Sequence, residues 1–497
     1  MFLERLIEHY FPLFLVGGVL FGVVIAANQH ARRKGQEGDF LSPSGDPTRH
    51  ILASLVLRGA LFRNSIIRQL RNPFLARAVE PGLDMPLIEA VCLRIEKDSR
   101  PTQWGIVLGL FVLIFFVPPK LKLLLALIFI GYCVYLQFRD RFRLVKAFDQ
   151  ASYDAAKLRG QYLAEPPATA SGVPVLVSGM FNPFIGLGLN LGGWNIALDV
   201  TRPAEGVSET RPLSAAQIEQ ALTDAILSLQ IPNLVMIDRL LVSGVEAVRV
   251  RQIQPDRFQA PVKEVPPSVA DEFRSRPDDR ARVYRFATIS SFGGEVVMSY
   301  AFRVLRRGAS LGVEVVHLAA APLAPQYREI DRLRIVGVWD GILWFLTALA
   351  KIPVQFFAAM GSIGLQLGEV WDDVLGGHVA REKREIERNP AYNYGARWSL
   401  RQFTASQNYN SWFQKADVQQ YLRGLEEQVL NAFRDCLEAH DVDVRAFASQ
   451  SMTVHNNNVQ ITSARDVNME GVAIGQGAKA TSVLGRLGLK SGKTEGG

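Results

Sequence analysis

The densest group of residues that could bind a phosphate lies in FNPFIGLGLNLGGWNIALDV, residues 181–200. Its glycines, Gly186, Gly188, Gly192 and Gly193, have the spacing G-x-G-x-x-x-G-G. A dinucleotide site needs G-x-G-x-x-G directly after a strand and opening a helix, whereas the WNIALDV that follows here is typical of a strand. The sequence also lacks a complete phosphate loop, G-x-x-x-x-G-K-S/T. We therefore interpret these glycines as a structural turn, because glycine adopts positive backbone angles without strain.

Other residue groupings that could support catalysis are equally incomplete. The seven histidines contain no H-E-x-x-H pair, and Ser178 lacks the G-x-S-x-G context of a hydrolase nucleophile. The three cysteines form no C-x-x-C pair, and we assign Cys436 and His440 to packing on one helix. We expect no catalytic residue, no cofactor and no metal, and therefore a protein that is not an enzyme. A nucleotide-binding membrane enzyme is kept as a second alternative.

The composition favours a membrane protein. Hydrophobic residues make up 48% of the 497-residue chain, charged residues only 21%, and the mean hydropathy is +0.10. The net charge of +7 suits an anionic partner, either lipid or nucleic acid. Because no nucleic-acid-binding motif is present, we expect anionic lipid headgroups as the partner and no nucleic acid.

Three apolar runs predict transmembrane helices. Residues 1–35 contain an anchor over 11–27, and residues 104–138 form a helical hairpin from two runs separated by Pro118-Pro119. Basic residues concentrate at Arg32–Lys34 and Arg139–Lys146, while only Lys120 and Lys122 lie at the hairpin tip. By the positive-inside rule, we expect a multi-pass protein of the bacterial plasma membrane. Its N-terminus and hairpin tip lie outside, and most of the chain is cytoplasmic.

The stretch 36–103 between the first two runs predicts basic amphipathic helices. Its aliphatic residues alternate with Arg58, Arg63, Arg68 and Arg71, which we predict to face lipid because arginines beside a membrane attract anionic headgroups. The alternative is a helix packed on the cytoplasmic domain with solvated arginines.

After a connector at 139–172, the pattern predicts a cytoplasmic α+β domain with an antiparallel sheet over 173–335. Predicted strands are VPVLVSG, WNIALDV, VEAVRVRQI and a long hairpin, GEVVMSYAFRVL with GVEVVHLAAAPL. One helix begins after Ser214, with Gln217 at the capping-box position.

The motifs NPFIGLG, WNIALDV and LAAAPLAPQYREIDRL resemble segments of an uncharacterised family of multi-pass membrane proteins from actinomycete bacteria. The resemblance covers residues 173–333, with an echo in the C-terminal tail. It implies an architecture and a lineage, but it supplies no reaction and no catalytic residue.

A fourth apolar region, 336–378, contains Asp340, Lys351 and Pro353. Three interpretations are open: a re-entrant or interfacial hairpin, a buried helical pair, or a true span. Gly361, Gly364 and Gly368 would permit close, membrane-active helix packing.

The C-terminal part divides into a helical region at 379–450, a β-roll-like oligomerisation tail at 451–489 and a disordered end at 490–497. In the helical region, an amphipathic helix is predicted to dock on the rest of the protein. In the tail, short apolar pairs that include Val467, Val472 and Ile474 alternate with Asn, Asp and Gly, a pattern that buries its apolar edge only against copies of itself or a neighbour. The alternative is a flexible tail rich in Gly and Asn.

Together these features predict a membrane-anchored, non-enzymatic protein that presents a cytoplasmic domain for docking or assembly. We expect a homo-oligomer with an unidentified cytoplasmic protein partner. The alternative is a membrane-disrupting effector in a cell-death response or one linked to a contractile injection system.

Overall fold

The structure, a computed structural model, describes residues 45–150, 152–163, 172–275, 280–332, 338–374, 377–406 and 408–456. The predicted anchor at 11–27 and the tail residues Val467, Val472 and Ile474 lie outside these ranges.

The described residues form a helical N-terminal part, a seven-stranded sheet and further helices after it. The helices are α1 Pro47–Leu57, α2 Gly59–Arg71, α3 Met85–Phe115, α4 Pro119–Phe148, α5 Ala155–Tyr162, α6 Ala215–Ser228, α7 Pro267–Ser275, α8 Val338–Ala350, α9 Ile352–Val374, α10 His378–Arg388, α11 Leu400–Thr404, α12 Trp412–Ala439 and α13 Arg445–Asn456. The strands are β1 Val173–Ser178, β2 Leu189–Asp199, β3 Leu234–Ser243, β4 Glu264–Val265, β5 Ala281–Ser291, β6 Val296–Arg307 and β7 Ser310–Ala320.

The sheet has the order β2-β7-β6-β5-β3-β1-β4 and is mixed. The α+β class is confirmed, but the prediction of a wholly antiparallel sheet was wrong because β1 and β3 pair in parallel. After β1 the chain runs to the opposite edge as β2, and α6 then intervenes before β3 is added beside β1. A helical crossover of this kind is what parallel neighbours require.

Strand prediction succeeded where apolar residues alternate and failed where charges interrupt them. The β6–β7 hairpin and the capped helix α6 are present, and Ser214 and Gln217 form the capping box. VEAVRVRQI is not a strand, because the chain turns after β3 into a 3-10 helix at Ala247–Arg249. Strand β3 was missed because Asp238 and Arg239 break its apolar pattern.

One face of the sheet is covered by α6 and α12. Leu425, Val429 and Phe433 of α12 share a core with Leu222 and Ile226 of α6 and with apolar side chains of β6 and β7. The amphipathic helix predicted to dock on the rest of the protein therefore does so in the structure. The boundary drawn at 335 does not separate two cores, because the helical region 379–450 completes the core of the sheet.

The C-terminal end of the described chain also differs from the prediction. Residues 451–456 belong to α13 and not to a β-roll. Gln450 on this helix pairs with the outer edge of β2, where its side chain donates to the carbonyl of Ala197 and accepts from the backbone N–H of the same residue. The helix thus covers part of an edge strand, which would otherwise expose unpaired backbone groups.

A second core lies between the N-terminal helices and the segment that follows the sheet. Ile51, Leu52 and Leu55 of α1 pack with Leu87 of α3 and with Tyr327. Much of the stretch 36–103 is thus part of the folded domain, as in the second of the two alternatives for its helices.

Among the described helices, α4 is the one that is long and apolar enough to cross a membrane, over Lys120–Phe148. Two bent pairs, α1 with α2 and α8 with α9, would raise the number to three if each pair were a single span. Helix α3 does not qualify, because its apolar part begins only after Arg100 and Pro101.

Candidate membrane interface

Helices α3 and α4 form a closely paired hairpin. A Cβ atom on Gly109 of α3 would lie 3.0 Å from the ring of Phe129 on α4, so these two positions face each other. Near the tip, Lys122 Nζ donates a hydrogen bond of 3.0 Å to the carbonyl of Ile114. This bond satisfies one donor of the ammonium group within the hairpin.

The outer surface of the hairpin is apolar and uncovered. Phe115, Phe116 and Leu123 expose 68%, 72% and 73% of their surface. Other exposed large apolar residues of the hairpin, between residues 104 and 142, are Trp104, Leu108, Phe111, Val112, Ile114, Leu121, Leu124, Leu125, Leu127, Ile128, Ile130, Tyr132, Tyr135, Phe138 and Phe142. A contiguous apolar surface of this extent marks a site that lipid or protein covers.

Helices α8 and α9 contact the hairpin through two polar clusters. Gln137 of α4 donates to the carbonyl of Ala348 and to Gln355 Oε1, each at 3.1 Å. Gln103 of α3 accepts hydrogen bonds of 2.8 Å from Ser362 Oγ and from Gln366 Nε2. Between the two clusters, an apolar contact joins Ile106, Leu136 and Ala359. Hydrogen bonds between such side chains commonly stabilise helix–helix contacts in an apolar environment.

The side of α9 that faces away from the hairpin is apolar and uncovered. Val354, Phe357, Met360 and Leu367 are exposed on it. A Cβ atom placed on Gly361, Gly364 or Gly368 would meet no atom within 4 Å. These three glycines are therefore on a surface without a helix neighbour among the described residues, and their role in packing stays a prediction.

The four arginines predicted to face lipid have different environments. Arg58 is exposed and lies 4.5 Å above the ring of Tyr327, and Arg68 is also exposed. The side chain of Arg71 lies outside the described part. For Arg63 the prediction was wrong: it is 4% exposed, with Nε donating to Glu96 at 3.1 Å and Nη1 to the carbonyl of Leu55 at 2.9 Å.

A buried ionic cluster connects the helices with the segment that leads into α8. Asp331 accepts hydrogen bonds from Arg49 Nη2 at 2.6 Å and from His50 Nε2 at 2.9 Å. Arg49 also donates to the carbonyl of Phe148, the last residue of α4, at 2.9 Å. Burial alone would raise the pKa of Asp331, but His50 and Arg49 hold it below its usual value. This arrangement fixes the end of α4 and the segment around Asp331 to α1.

Next to this cluster, Glu295, the residue directly before β6, is almost fully buried. It pairs with Arg328 at 3.1 Å and accepts a hydrogen bond from Gln414 at 3.0 Å. Arg401, on α11, donates to the backbone carbonyl of Glu295. Removing one member of such a network would leave a buried charge uncompensated, so we assign it to holding the elements together.

The glycine-rich turn has a steric explanation. Gly186, Gly188 and Gly192 have φ values of +87°, +106° and +123°. A Cβ atom on Gly186 would lie 1.8 Å from the carbonyl oxygen of Val79, and one on Gly193 2.1 Å from that of Val315. Backbone geometry thus accounts for all four glycines without a ligand. That they bind no nucleotide stays a prediction.

Three buried titratable groups lie between the sheet and α12. Tyr300 and His317 stack at 5.1 Å between ring centroids, and burial lowers the pKa of His317 to about 4. Burial also raises the pKa of Tyr300, an effect that Glu426 increases, and it raises the pKa of Glu426 to about 7. Tyr300 Oη and His317 Nε2 have no hydrogen-bond partner among the described residues. At neutral pH Tyr300 and His317 are therefore uncharged, as their apolar surroundings require, whereas Glu426 is close to the midpoint of its titration.

Metal ligands and cysteines give no further site within the described ranges. No three His, Cys, Asp or Glu side chains there are close enough to hold a metal ion. His440 Nδ1 contacts the carbonyl of Cys436 at 2.8 Å, one turn back on the same helix. Ser178 Oγ donates to the carbonyl of Asn182 at 2.7 Å and stabilises the loop after β1.

Sequence reasoning missed the residues that position the apolar helices. Gln103, Gln137 and Ser362 are single polar residues at the edges of apolar runs, and nothing in their spacing indicates that they meet. The signal that could have found them is their position, since isolated polar residues beside apolar helices commonly contact another helix. Asp331 and Arg401 were missed because their partners are distant in sequence.

Comparison with known proteins identifies a family. A family model described as the AbeC-like domain matches residues 193–469, more than half of the chain. No curated protein and no solved structure matches the chain. The matched region begins within β2 and includes the α8–α9 segment and the docked helix α12. The chain therefore belongs to the AbeC-like domain family.

Proposed function

We propose that this protein is anchored in a membrane through the α3–α4 hairpin and presents the seven-stranded sheet with the helices packed on it, here called the sheet domain, for docking or assembly, without catalysing a reaction. The observation that carries the proposal is the exposure of large apolar side chains along both helices of the hairpin. Leaving this surface in water would be unfavourable, since each fully buried Leu or Phe side chain gains about 1.5–3 kcal/mol. The hydrocarbon of a lipid bilayer can provide this burial.

The finer features of the proposal come from the sequence. The resemblance to multi-pass membrane proteins of actinomycetes favours a bacterial plasma membrane. The basic residues in the last turns of α4, within Arg139–Lys146, favour a cytoplasmic sheet domain, with the N-terminus and the hairpin tip outside. Arg58 and Arg68 remain available for anionic headgroups, and the tail with Val467, Val472 and Ile474 is proposed to form homo-oligomers. Light scattering of a chain that ends at Asn456 tests the last point, and an unchanged number of subunits would contradict it.

A vesicle flotation experiment tests the anchoring. Protein that begins at Gly45, and so lacks the predicted anchor at 11–27, is mixed with vesicles of phosphatidylcholine and phosphatidylglycerol and centrifuged through a density gradient. The protein should float with the vesicles, whereas the double variant Leu123→Asp and Leu127→Asp should remain at the bottom. Val235→Asp is the matched control, because Val235 is an apolar residue of the sheet domain that is 53% exposed. Equal flotation of the double variant and the control would refute anchoring through the hairpin.

A second candidate function is membrane disruption, as in an effector of a cell-death response or one linked to a contractile injection system. The uncovered apolar face of α9 favours it, because such a face can insert into a bilayer. Dye leakage from the same vesicles separates the two functions. An effector should release dye and lose this activity on Phe357→Asp, while an anchored docking protein should float without releasing dye.

A further inference from the structure

We infer that α8 and α9 form an elbow that lies in the plane of one membrane leaflet, across the base of the hairpin, and does not cross the bilayer. The partner of its outer face is then the boundary between lipid headgroups and acyl chains. This inference rests on the proposed anchoring of the hairpin. It assigns a place to the apolar region 336–378, for which the sequence left three interpretations open.

The elbow contacts both helices of the hairpin at nearly the same level. Gly109 and Phe129 face each other, and counting away from the tip along each helix leads to Gln103 on α3 and Gln137 on α4. These two glutamines therefore lie within about one helical turn of the same level, at the base of the hairpin. Both are contacted by α9, through Gln366 and Gln355 respectively.

Between those two contacts α9 runs for about three helical turns. Gln355 and Gln366 are separated by about 16 Å along the helix, at 1.5 Å per residue. A helix parallel to the hairpin would move by that distance towards or away from the tip. Because both contacts stay at the base, α9 crosses the hairpin at a steep angle. With the hairpin inserted into the bilayer, α9 must run close to the membrane plane.

The described chain on each side of the elbow, up to residue 332 and from residue 377, is fixed to the folded part of the protein. Before α8, Asp331 is held by Arg49 and His50 of α1. After α9, Ile386 of α10 is fully buried in a core of the sheet domain, and its carbonyl accepts a hydrogen bond of 2.6 Å from Arg257. A single span would place its two ends on opposite sides of the membrane. The bend of 48° between α8 and α9 also lies beside Gln137, at the base, and not beyond the tip.

The outer face of α9 suits this location. Val354, Phe357, Met360 and Leu367 supply apolar contacts for the acyl region, and Lys351 at the bend is exposed. A lysine beside an apolar helix can extend its ammonium group to the headgroups. The tip half of the hairpin, by contrast, is not contacted by the apolar and polar clusters that hold the elbow. The elbow should therefore be shallow and the hairpin deep.

Depth-dependent fluorescence quenching tests the assignment. In full-length protein with Cys92, Cys133 and Cys436 replaced by alanine, a single cysteine is introduced by Phe357→Cys or by Leu127→Cys and labelled with an environment-sensitive dye. The protein is bound to vesicles that contain a nitroxide either near the headgroup or deep in the acyl chain. The shallow nitroxide should quench the dye at position 357 more strongly, and the deep nitroxide should quench the dye at position 127 more strongly.

The possible outcomes separate this inference from the proposed function. Stronger quenching of position 357 by the deep nitroxide would show a span and overturn the elbow assignment. Quenching of position 127 but not of position 357 would also overturn it, because α9 would then face water. If neither position is quenched, the anchoring itself fails. A dye at Val235→Cys provides the reference for a position in water, and flotation of each labelled protein shows that the substitutions are tolerated.

Discussion

Helix α1 and the hairpin helix α4 are both apolar, yet α1 is buried in the fold and α4 is largely exposed. The described residues of α1 from Pro47 to Leu55 are all buried against α3, α4 and the segment around Tyr327. Helix α4 leaves most of its apolar side chains uncovered, and only 11% of its most apolar stretch is buried. Hydropathy places both among the candidate spans, α1 as part of a bent pair. The comparison teaches that hydropathy detects apolar helices, while burial within the fold separates a core helix from a membrane-facing one.

The largest expected effect comes from placing a charge in each of the two helices. Leu52→Asp in α1 should prevent folding or cost more than about 4 kcal/mol, because it leaves a charge in a fully buried site. Leu123→Asp in α4 should leave the thermal unfolding of the sheet domain unchanged in detergent, since Leu123 is exposed. Circular dichroism during heating measures both. Equal destabilisation by the two changes would remove the distinction between the helices.

Charged residues on α2 provide the next test. Arg63→Leu should lower the free energy of unfolding by about 3–5 kcal/mol, because it leaves Glu96 buried without its cation. Arg68→Leu, its control on the same helix, should cost less than about 1 kcal/mol because Arg68 is exposed. Chemical denaturation measures both variants. A small effect at Arg63 would mean that this arginine faces lipid or water, as the sequence alone predicts.

These differences also show how far sequence reasoning reached. The β6–β7 hairpin, the capped helix α6 and the docked helix α12 follow local patterns, and the structure contains all three. Strand β3 and the buried Arg63 were missed, because their charges are neutralised by partners distant in sequence, Arg285 for Asp238 and Glu96 for Arg63. The candidate membrane interface was predictable as apolar runs. The crossing of α9 over the hairpin was not predictable from the sequence, because it depends on the contacts of Gln103 and Gln137 with Gln366 and Gln355.

Glycine substitutions compare a crowded position with an open one. Gly188→Ala should destabilise the sheet domain by roughly 2–4 kcal/mol, because φ is +106° and the added Cβ would lie 2.2 Å from the carbonyl oxygen of Ala319. Gly361→Ala adds a Cβ that meets nothing and should be neutral or stabilise α9 by up to about 1 kcal/mol. Thermal unfolding measures the effect of both substitutions, and unfolding of the wild-type protein with and without ATP tests whether the turn binds the nucleotide. A rise in the melting temperature with ATP would contradict the structural interpretation of the turn.

The smallest effect is expected from Glu426, and it should depend on pH. Burial raises the pKa of Glu426 from its ordinary value of 4.5 to about 7, so the folded protein holds this proton more tightly than the unfolded chain. The stability due to this group is fully present below pH 4.5 and is lost as the pH rises towards 7. The loss amounts to at most about 3 kcal/mol at pH values near 8.

Glu426→Gln, which keeps the shape of a neutral carboxyl, should therefore raise the free energy of unfolding at about pH 8 and change it little at about pH 5. The stability due to His317 has the opposite pH dependence, because burial lowers the pKa of this residue to about 4. As the pH falls below about 6.5, the unfolded chain binds a proton at His317 and the folded protein does not, so this stability is lost. The difference in free energy of unfolding between Glu426→Gln and wild type is measured at each pH, and the contribution of His317 cancels because both proteins contain it. A difference that is the same at both pH values would show that Glu426 is ionised in the folded protein, and that the core beneath α12 is more polar than its burial indicates.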